Sequence, residues 1–580
     1  MLGRNYIKVL YIDLTTRKIK IERREDLMEY IGGSGVAMKL FSELVKIDQD
    51  PLDPDQPIIF AIGPMNTIFP VVTKTAAVFR SPLTGNLGES HAGGRLAMAM
   101  RFSGYDAVVI TGRASSPVYI AITEGSVDIK EAGFIWGERV ERTGKVLRDR
   151  ETHIGSGKRS IIRIGKAGEK MIRFAGVNVD TYRHFGRLGL GAVFGSKRLK
   201  AIVIGGNRSY PILKPKEYNK VYNKIHKIAT ESGAMKKYHE IGTPINVVPL
   251  NEAGGLPTKN LTQTKFELAN EIDGVSFAED LLLRKLSCSG CPTGCIHIGL
   301  LRIEYGPGYK TKFTGVGYDY ELIFALGSMI GVGDKKGVLR LIDAVEEYGL
   351  DAMSTGVILA WITEMFKKGL LTEDQLGLKV DFGDTEAYLE IIANIVKRPN
   401  TFYRDVGMGL AKLAEKYGGK DFAMVLGKHE MTGYHTGYGA MIGQSVGARH
   451  SHLDNAGYAL DQTMDKLDKR EMVRKLIEEE IDRCMLTSLH ICLFARKIYG
   501  DKELVCEALD SIGIKATPKS LTDMGEKVWR LKNEMKKKMG FDFRELRFPK
   551  RFFETKSLNG ILDTDTAKEI VDIYVKEGGL

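Results

Sequence analysis

No stretch of this 580-residue sequence approaches the ~20 uninterrupted apolar residues that a membrane-crossing helix requires. The opening MLGRNYIKVLYIDLTTRKIKIERRE alternates like a strand and is charged throughout. It lacks a signal peptide's apolar segment and small-residue cleavage site, so a cytoplasmic location is expected. Internal repeats and low-complexity tracts are missing too. Nucleic-acid signatures are absent: Lys and Arg outnumber Asp and Glu by 84 to 73, but they interleave as in KKGVLRLIDAVEEYG, without finger spacing or an RNP motif. The surplus of +11 reads as a mixed-charge surface, or as attraction for an acidic protein partner. Glutamine is scarce beside abundant Lys and Glu, the usual thermophile bias. No strand–G-x-G-x-x-G–helix unit with a following acid occurs, which excludes a Rossmann site.

Cysteine is also scarce, at six residues, too few for a disulfide framework in a cytoplasmic protein. Yet three fall within LSCSGCPTGCIH (286–297), where Cys288, Cys291 and Cys295 form a C-x2-C-x3-C run. Gly290, Pro292 and Gly294 supply the irregular backbone that would aim three thiolates at one centre. Structural zinc usually takes two separated pairs, whereas a triplet plus one remote cysteine suits a [4Fe–4S] cubane. The cluster leads, with zinc and merely structural thiols left open. Cys484 and Cys506 lack such neighbours and read as buried thiols.

The first 210 residues are rich in short strands and glycine, beginning with a hairpin turned at Thr15-Thr16. From about 211 the i, i+3, i+4, i+7 pattern of amphipathic helices takes over, with a second break around 420–440. An α+β chain is expected: a β-rich domain over 1–210, then mainly helical domains over 211–420 and 421–580. Glycine-dense segments at 63–67, 80–95 and 183–202 could cradle phosphates or a heterocycle, or simply form tight turns.

SPLTG followed by H-A-G-G, the block R-x-x-G-R-x-G-L-G-A-V-x-G-S-K-x-L-K-A, the cysteine triplet and Y-G-L-D-x-x-S-T-G occur in order along nearly the whole chain. Together they resemble the tungsten-containing aldehyde:ferredoxin oxidoreductases, tungstopterin iron–sulfur enzymes of thermophilic archaea. That resemblance implies a tungsten bis-pterin at the domain interface, one [4Fe–4S] cluster, and Mg2+ bridging the pterin phosphates. The family's two D-x-x-G-L-[DC] pterin loops are matched by Glu346 to Asp351, with Leu350 in place, and by Thr487 to Cys492. In the second loop Thr487 replaces the acid, His490 replaces the glycine, and Ile491 and Cys492 follow, making Cys492 the implied fourth cluster ligand.

Lys74 falls where the family has a phosphate-binding Arg. His91 replaces an Asn near the magnesium, with Gly93 after it, and His184 offers a backbone carbonyl there. Arg183, Gly186 and Arg187 of the same block carry over as cofactor-binding positions. Gly317 to Glu321 matches the segment bearing the family's catalytic glutamate, Glu321. Gly447 to His450 matches that bearing its histidine, His450, with His452 at a pterin-contacting position. By residue type alone, Glu321 also reads as a helix-surface acid and His450 as a satisfied buried histidine. The implied activity is oxidation of aldehydes to carboxylic acids, with electrons leaving to ferredoxin or a dedicated iron–sulfur subunit in a homo- or hetero-oligomer. Reduction of an activated carboxylate or aromatic acid derivative, and a non-catalytic iron–sulfur interaction protein, are the alternatives.

Overall fold

Alternation with a period of two builds the N-terminal part of the chain. In β1 (Ile7–Asp13), Ile7 and Val9 face one core while Leu10 and Ile12 face another. A computed structural model describes residues 2–580 except 307, 309 and 465. β1 joins β2 (Ile19–Arg24), β3 (Ile58–Ala61), β4 (Thr75–Arg80), β5 (Leu87–Ala92) and β6 (Ala107–Thr111) in a mixed sheet of order β2-β1-β6-β3-β4-β5. Only β1 and β6 run parallel in it. A second sheet holds β7 (Val118–Ile122), β8 (Val127–Glu131), β9 (Arg159–Arg163), β10 (Val177–Val179), β11 (Arg183–Phe185) and β12 (Leu199–Gly205) in the order β11-β10-β9-β12-β7-β8. The inner faces of the two sheets share one apolar core, where Phe60 lies 5.5 Å from Phe185 and 6.2 Å from Phe194.

Helices dominate from Pro215 onward, and aspartates cap several of them. Asp334, Asp351, Asp468 and Asp563 each accept from a first-turn N–H, satisfying donors the helix cannot. One element departs from the expected helical texture. β13 (Leu282–Leu286), β14 (Ile296–Gly306) and β15 (Lys310–Tyr318) form an antiparallel sheet within that region. The cysteine run is the turn joining β13 to β14.

The helical part meets the first sheet backbone to backbone. A Cβ on Gly33, which sits at φ +44°, would lie 2.6 Å from Ser488 O and 2.8 Å from His490 Nε2. A Cβ on Gly63 would lie 2.7 Å from Leu489 O. Gly63 of the 63–67 segment therefore permits close approach of a helix end rather than cradling a phosphate. The same holds for Gly191 and Gly195, packed on the backbone around Ala175 and Gly168. Gly33→Ala should destabilise the protein by about 2–4 kcal/mol, since carbonyls of a packed helix end cannot give way. Gly85→Ala, also at positive φ but facing open space, should cost about 1 kcal/mol in the same thermal unfolding series.

Candidate functional site

The loop between β13 and β14 folds around left-handed Gly290 (φ +76°) and Gly294 (φ +64°). Its three thiols share a cavity of about 150 Å³ with Cys492, which arrives from the opposite end of the chain. Backbone pairing brings it there. Cys492 N–H donates to Val71 O (3.1 Å), Val71 N–H donates to Gly290 O (3.2 Å), and Val72 bridges Ile491 in an antiparallel pair. Burial pushes Cys295 up to about 12, with the neighbouring Cys492 adding to the shift. Cys288 is more deeply buried, yet Lys74 and Arg183 beside it overcome that burial and lower its pKa. No three His, Cys, Asp or Glu side chains among the described residues close on a single ion. Cys484 lies apart from this chamber, buried among Lys532, Glu89 and Glu480. A Cβ on Gly93 would lie 2.7 Å from Cys288 Sγ, so this glycine makes room for a thiol rather than lining either cavity.

A larger cavity of about 600 Å³ shares the walls Lys74, His184, Asp319, Glu346 and Cys492 with the thiol chamber. His91, Gly186, Arg187, Leu350, Asp351, Thr487 and Ile491 line it, whereas Arg183 faces the chamber. The two six-residue loops have the same build. The helix Lys335–Tyr348 ends at Gly349 (φ +75°), Leu350 bridges Ala175, and Gly176 N–H donates to Gly349 O at 2.9 Å. The helix Lys469–Leu489 ends at His490 (φ +62°), and Ile491 bridges Val72. A histidine at a left-handed position costs about 1–2 kcal/mol. His490 offsets this by donating Nε2–H to Ala61 O at 2.9 Å. The Thr487 hydroxyl donates back to Arg483 O at 2.8 Å.

Glu321 sits in the first turn of the helix Tyr320–Leu326, which Asp319 caps directly after β15. One carboxylate oxygen accepts from Gly433 N–H (3.1 Å) and the other lies 3.2 Å from His452 Nε2. Burial pushes Glu321 up to about 8, opposed by the Gly433 N–H and assisted by Asp319. Glu346 is likewise pushed up to about 8 by burial and then by Asp343 and Glu347.

His450 departs from its expected place. It lies outside the cavity lining, fully buried against Phe541. Its Nδ1 donates to Ser445 O (2.9 Å) and its Nε2 accepts from Asn86 Nδ2 (3.3 Å), so the ring is satisfied within the core. The cavity instead receives His452 and His429. His429 is fixed by Nδ1 to His450 O at 2.8 Å, with Nε2 buried and unpaired. No motif pointed to His429, and His490 was visible in the sequence only as a departure from a loop pattern.

Buried polar atoms without a protein hydrogen-bond partner gather on this wall: His91 Nδ1, Arg187 Nη1, His429 Nε2, His452 Nδ1 and His490 Nδ1, with His184 Nε2 only 3.5 Å from the Glu346 carboxylate. Orphaned groups at this density are costly unless a ligand or water meets them. The cavity is built for a polar occupant that carries both donors and acceptors.

The profile described as aldehyde ferredoxin oxidoreductase, N-terminal domain, matches residues 9–206, and that described as domains 2 and 3 matches residues 220–579. The chain belongs to the aldehyde ferredoxin oxidoreductase family. A tungsten-containing aldehyde ferredoxin oxidoreductase of Pyrococcus furiosus is 31% identical across 99% of this chain and 96% of its own length. One from Thermococcus kodakarensis is 31% identical across 95% and 92%. A WOR-like subunit of an aliphatic sulfonate oxidoreductase from Pyrococcus furiosus is 31% identical over 67% of this chain and 64% of its own. Among solved structures, the active-site complex BamBC of benzoyl coenzyme A reductase superposes with a TM-score of 0.82 at 20% identity, covering 100% of this chain and 95% of that one. That likeness speaks to the fold alone, and the two mixed sheets with long helices agree with it. No helix among the described residues is long and apolar enough to cross a membrane.

If the four thiols act together, Cys492→Ala should abolish iron uptake when the protein is reconstituted with Fe2+ and sulfide. Cys484→Ala should leave it intact, read as iron per chain.

Proposed function

We propose that this protein oxidises aldehydes to carboxylic acids at a tungsten bis-pterin centre in the larger cavity, and passes the electrons through a [4Fe–4S] cluster in the thiol chamber to ferredoxin or an iron–sulfur subunit. The observation that carries this reading is the wall common to the two cavities, with Cys492 on one side and the Glu321–His452 pair within reach of the other. A cluster is favoured over zinc because a close cysteine triplet and one remote thiol share a single chamber, an arrangement that suits a cubane better than the two separated pairs usual for zinc. In domain terms, residues 1–210 form the base, and 211–420 and 421–580 each contribute one loop above it.

The residues fit such a group. Lys74, and Arg187 held at 3.0 Å by Asp351, bring charge suited to phosphates, and His91 presents an unpaired ring nitrogen beside them; His91 and the His184–Glu346 pair would hold a Mg2+ ion. Glu346, Leu350 and Asp351 on one loop, and Thr487 and Ile491 on the other, flank the pterin space. When bound, the tungsten–pterin group would supply the two-electron redox chemistry.

The reaction balances as RCHO + H2O → RCOOH + 2H+ + 2e−, with the electrons leaving singly to the external carrier. Glu321 takes the proton from the attacking water, a task suited to a carboxylate whose affinity for protons has been raised toward neutrality. Gly433 N–H fixes one of its oxygens, and His452 orients the other. Tyr434 and Tyr458, stacked 4.0 Å apart beside His452, help exclude bulk water.

A base must be ionised to act, so kcat/KM should climb with pH and level off above about 8. Glu321→Gln should lower kcat by about 10²–10⁴-fold with tungsten and iron content unchanged. Asp319→Asn should lower the pH midpoint, because Glu321 loses a neighbouring negative charge that raises its proton affinity. His450→Asn should cost about 1–3 kcal/mol of stability and leave the midpoint where it is. Near-normal turnover of Glu321→Gln would contradict the base assignment.

A further inference from the structure

A third hollow, of about 570 Å³, opens beside the catalytic cavity and shares with it the walls Lys237, Tyr238, Ile245, Phe494 and Arg496. Its charge is one-sided. Lys236, Lys237, Arg496 and Lys497 line it against a single carboxylate, Glu240, which lies 3.8 Å from Lys236. Among the described residues no carboxylate pairs with Lys237, Arg496 or Lys497. Arg496 is anchored through Nη1 to Leu493 O at 2.9 Å and also meets the Tyr238 hydroxyl, and neither partner carries a negative charge. Lys237 rides over the Tyr238 ring at 5.0 Å, in the field of Arg496 and Lys497. Cations so crowded repel one another unless an anion joins them.

The passage inward is apolar. Tyr238 and Phe494 stack at 4.4 Å, 11° from parallel, and Ile245 lies with them. Farther in, the Tyr458 hydroxyl is within electrostatic reach of both Arg496 and Glu321. Cationic hollow, aromatic passage and carboxylate base therefore follow one another along one continuous surface.

We propose that this hollow is the subsite for an anionic tail on the substrate: the preferred aldehydes carry a remote carboxylate or phosphate, joined to the carbonyl by an apolar or aromatic spacer. The inference rests on the aldehyde-oxidation reading and gives it a substrate class. The same cations could instead greet an acidic electron carrier. The concave shape, within the roughly 300–1,000 Å³ range of small-molecule sites, and the walls shared with the cavity that Glu321 lines favour a substrate tail.

The test compares 4-carboxybenzaldehyde with 4-methylbenzaldehyde on the loaded enzyme, with benzyl viologen as acceptor, in wild type and in the double variant Lys236→Ala, Lys497→Ala, whose cations line the hollow and not the catalytic cavity. Wild type should favour the carboxylated aldehyde in kcat/KM by about tenfold or more, and the variant should lose that preference while oxidising the methyl compound within about twofold of wild type. Calorimetric binding of terephthalate to the same two proteins reads the subsite without turnover, and the variant should bind it about tenfold more weakly. Equal preference in both proteins, or equal terephthalate binding, overturns the proposal. So does a variant slowed on both aldehydes only when an acidic ferredoxin replaces the dye, which would make the hollow a carrier face. If wild type oxidises neither aldehyde, the oxidation reading falls, and terephthalate binding alone decides the subsite: selective loss in the variant upholds it and equal binding overturns it.

Discussion

The site depends on one backbone interaction: the antiparallel pairing of Val72 with Ile491, continued by Cys492 N–H to Val71 O and by Val71 N–H to Gly290 O. Cys492 lies some two hundred positions from the triplet, and nothing local in its own helix aims it at the other thiols. Buried N–H and C=O groups must find partners, so a loop that pairs with both the triplet's turn and the 490–492 segment fixes all three together. The fit is possible because Gly33 and Gly63 carry no Cβ where the helix end arrives. The Ala175–Leu350 pairing repeats the device on the second sheet. A loop leading into each sheet of the N-terminal part thus holds one helix terminus, and Leu350 and Ile491 both line the larger cavity.

Burial then sets the electrostatics. Carboxylates removed from water keep their protons to higher pH unless cations or N–H groups compensate. Glu321 and Glu346 are compensated only in part and end near 8. Glu89 shows the opposite balance. Although buried, it is held ionised by Lys532 at 2.6 Å, with Ser34 and His91 donating to its other oxygen. That contact fixes the His91 tautomer and leaves Nδ1 bare toward the cavity. Behind the site, a buried ion pair sets a ring's orientation; within it, a partly compensated carboxylate keeps the proton affinity of a base.

Much of this was legible in the sequence, for identifiable reasons. The strands of the first 205 residues follow from short apolar runs bounded by turn residues, and the major helices from their 3.6-residue period. The cysteine triplet stood out because its spacing is local, whereas the two six-residue loops followed only from the family resemblance. What escaped notice was tertiary. The sheet of β13, β14 and β15 was masked by helical texture on either side, although Ile296, Ile298 and Val316 alternate as strands should. His450 matched a motif, yet its ring turns into the core and meets Asn86 and Ser445, while His452, two residues on, reaches Glu321. Two residues along one loop thus separate a histidine satisfied in the core from one that faces the cavity, and the tertiary partners decide between them. The glycine-dense segments were ambiguous for the same reason: glycine permits close approach to a ligand or to another backbone equally well.

The central claim is that a tungsten–pterin centre and an iron–sulfur cluster lie side by side and exchange electrons within this one chain. Metal analysis joined to anaerobic electron paramagnetic resonance tests it most directly. Natively produced protein should contain about one tungsten and four irons per chain, and aldehyde added without any external acceptor should generate the signal of a reduced cluster. Iron without tungsten or molybdenum, or a cluster that stays silent in the presence of aldehyde, would contradict the account.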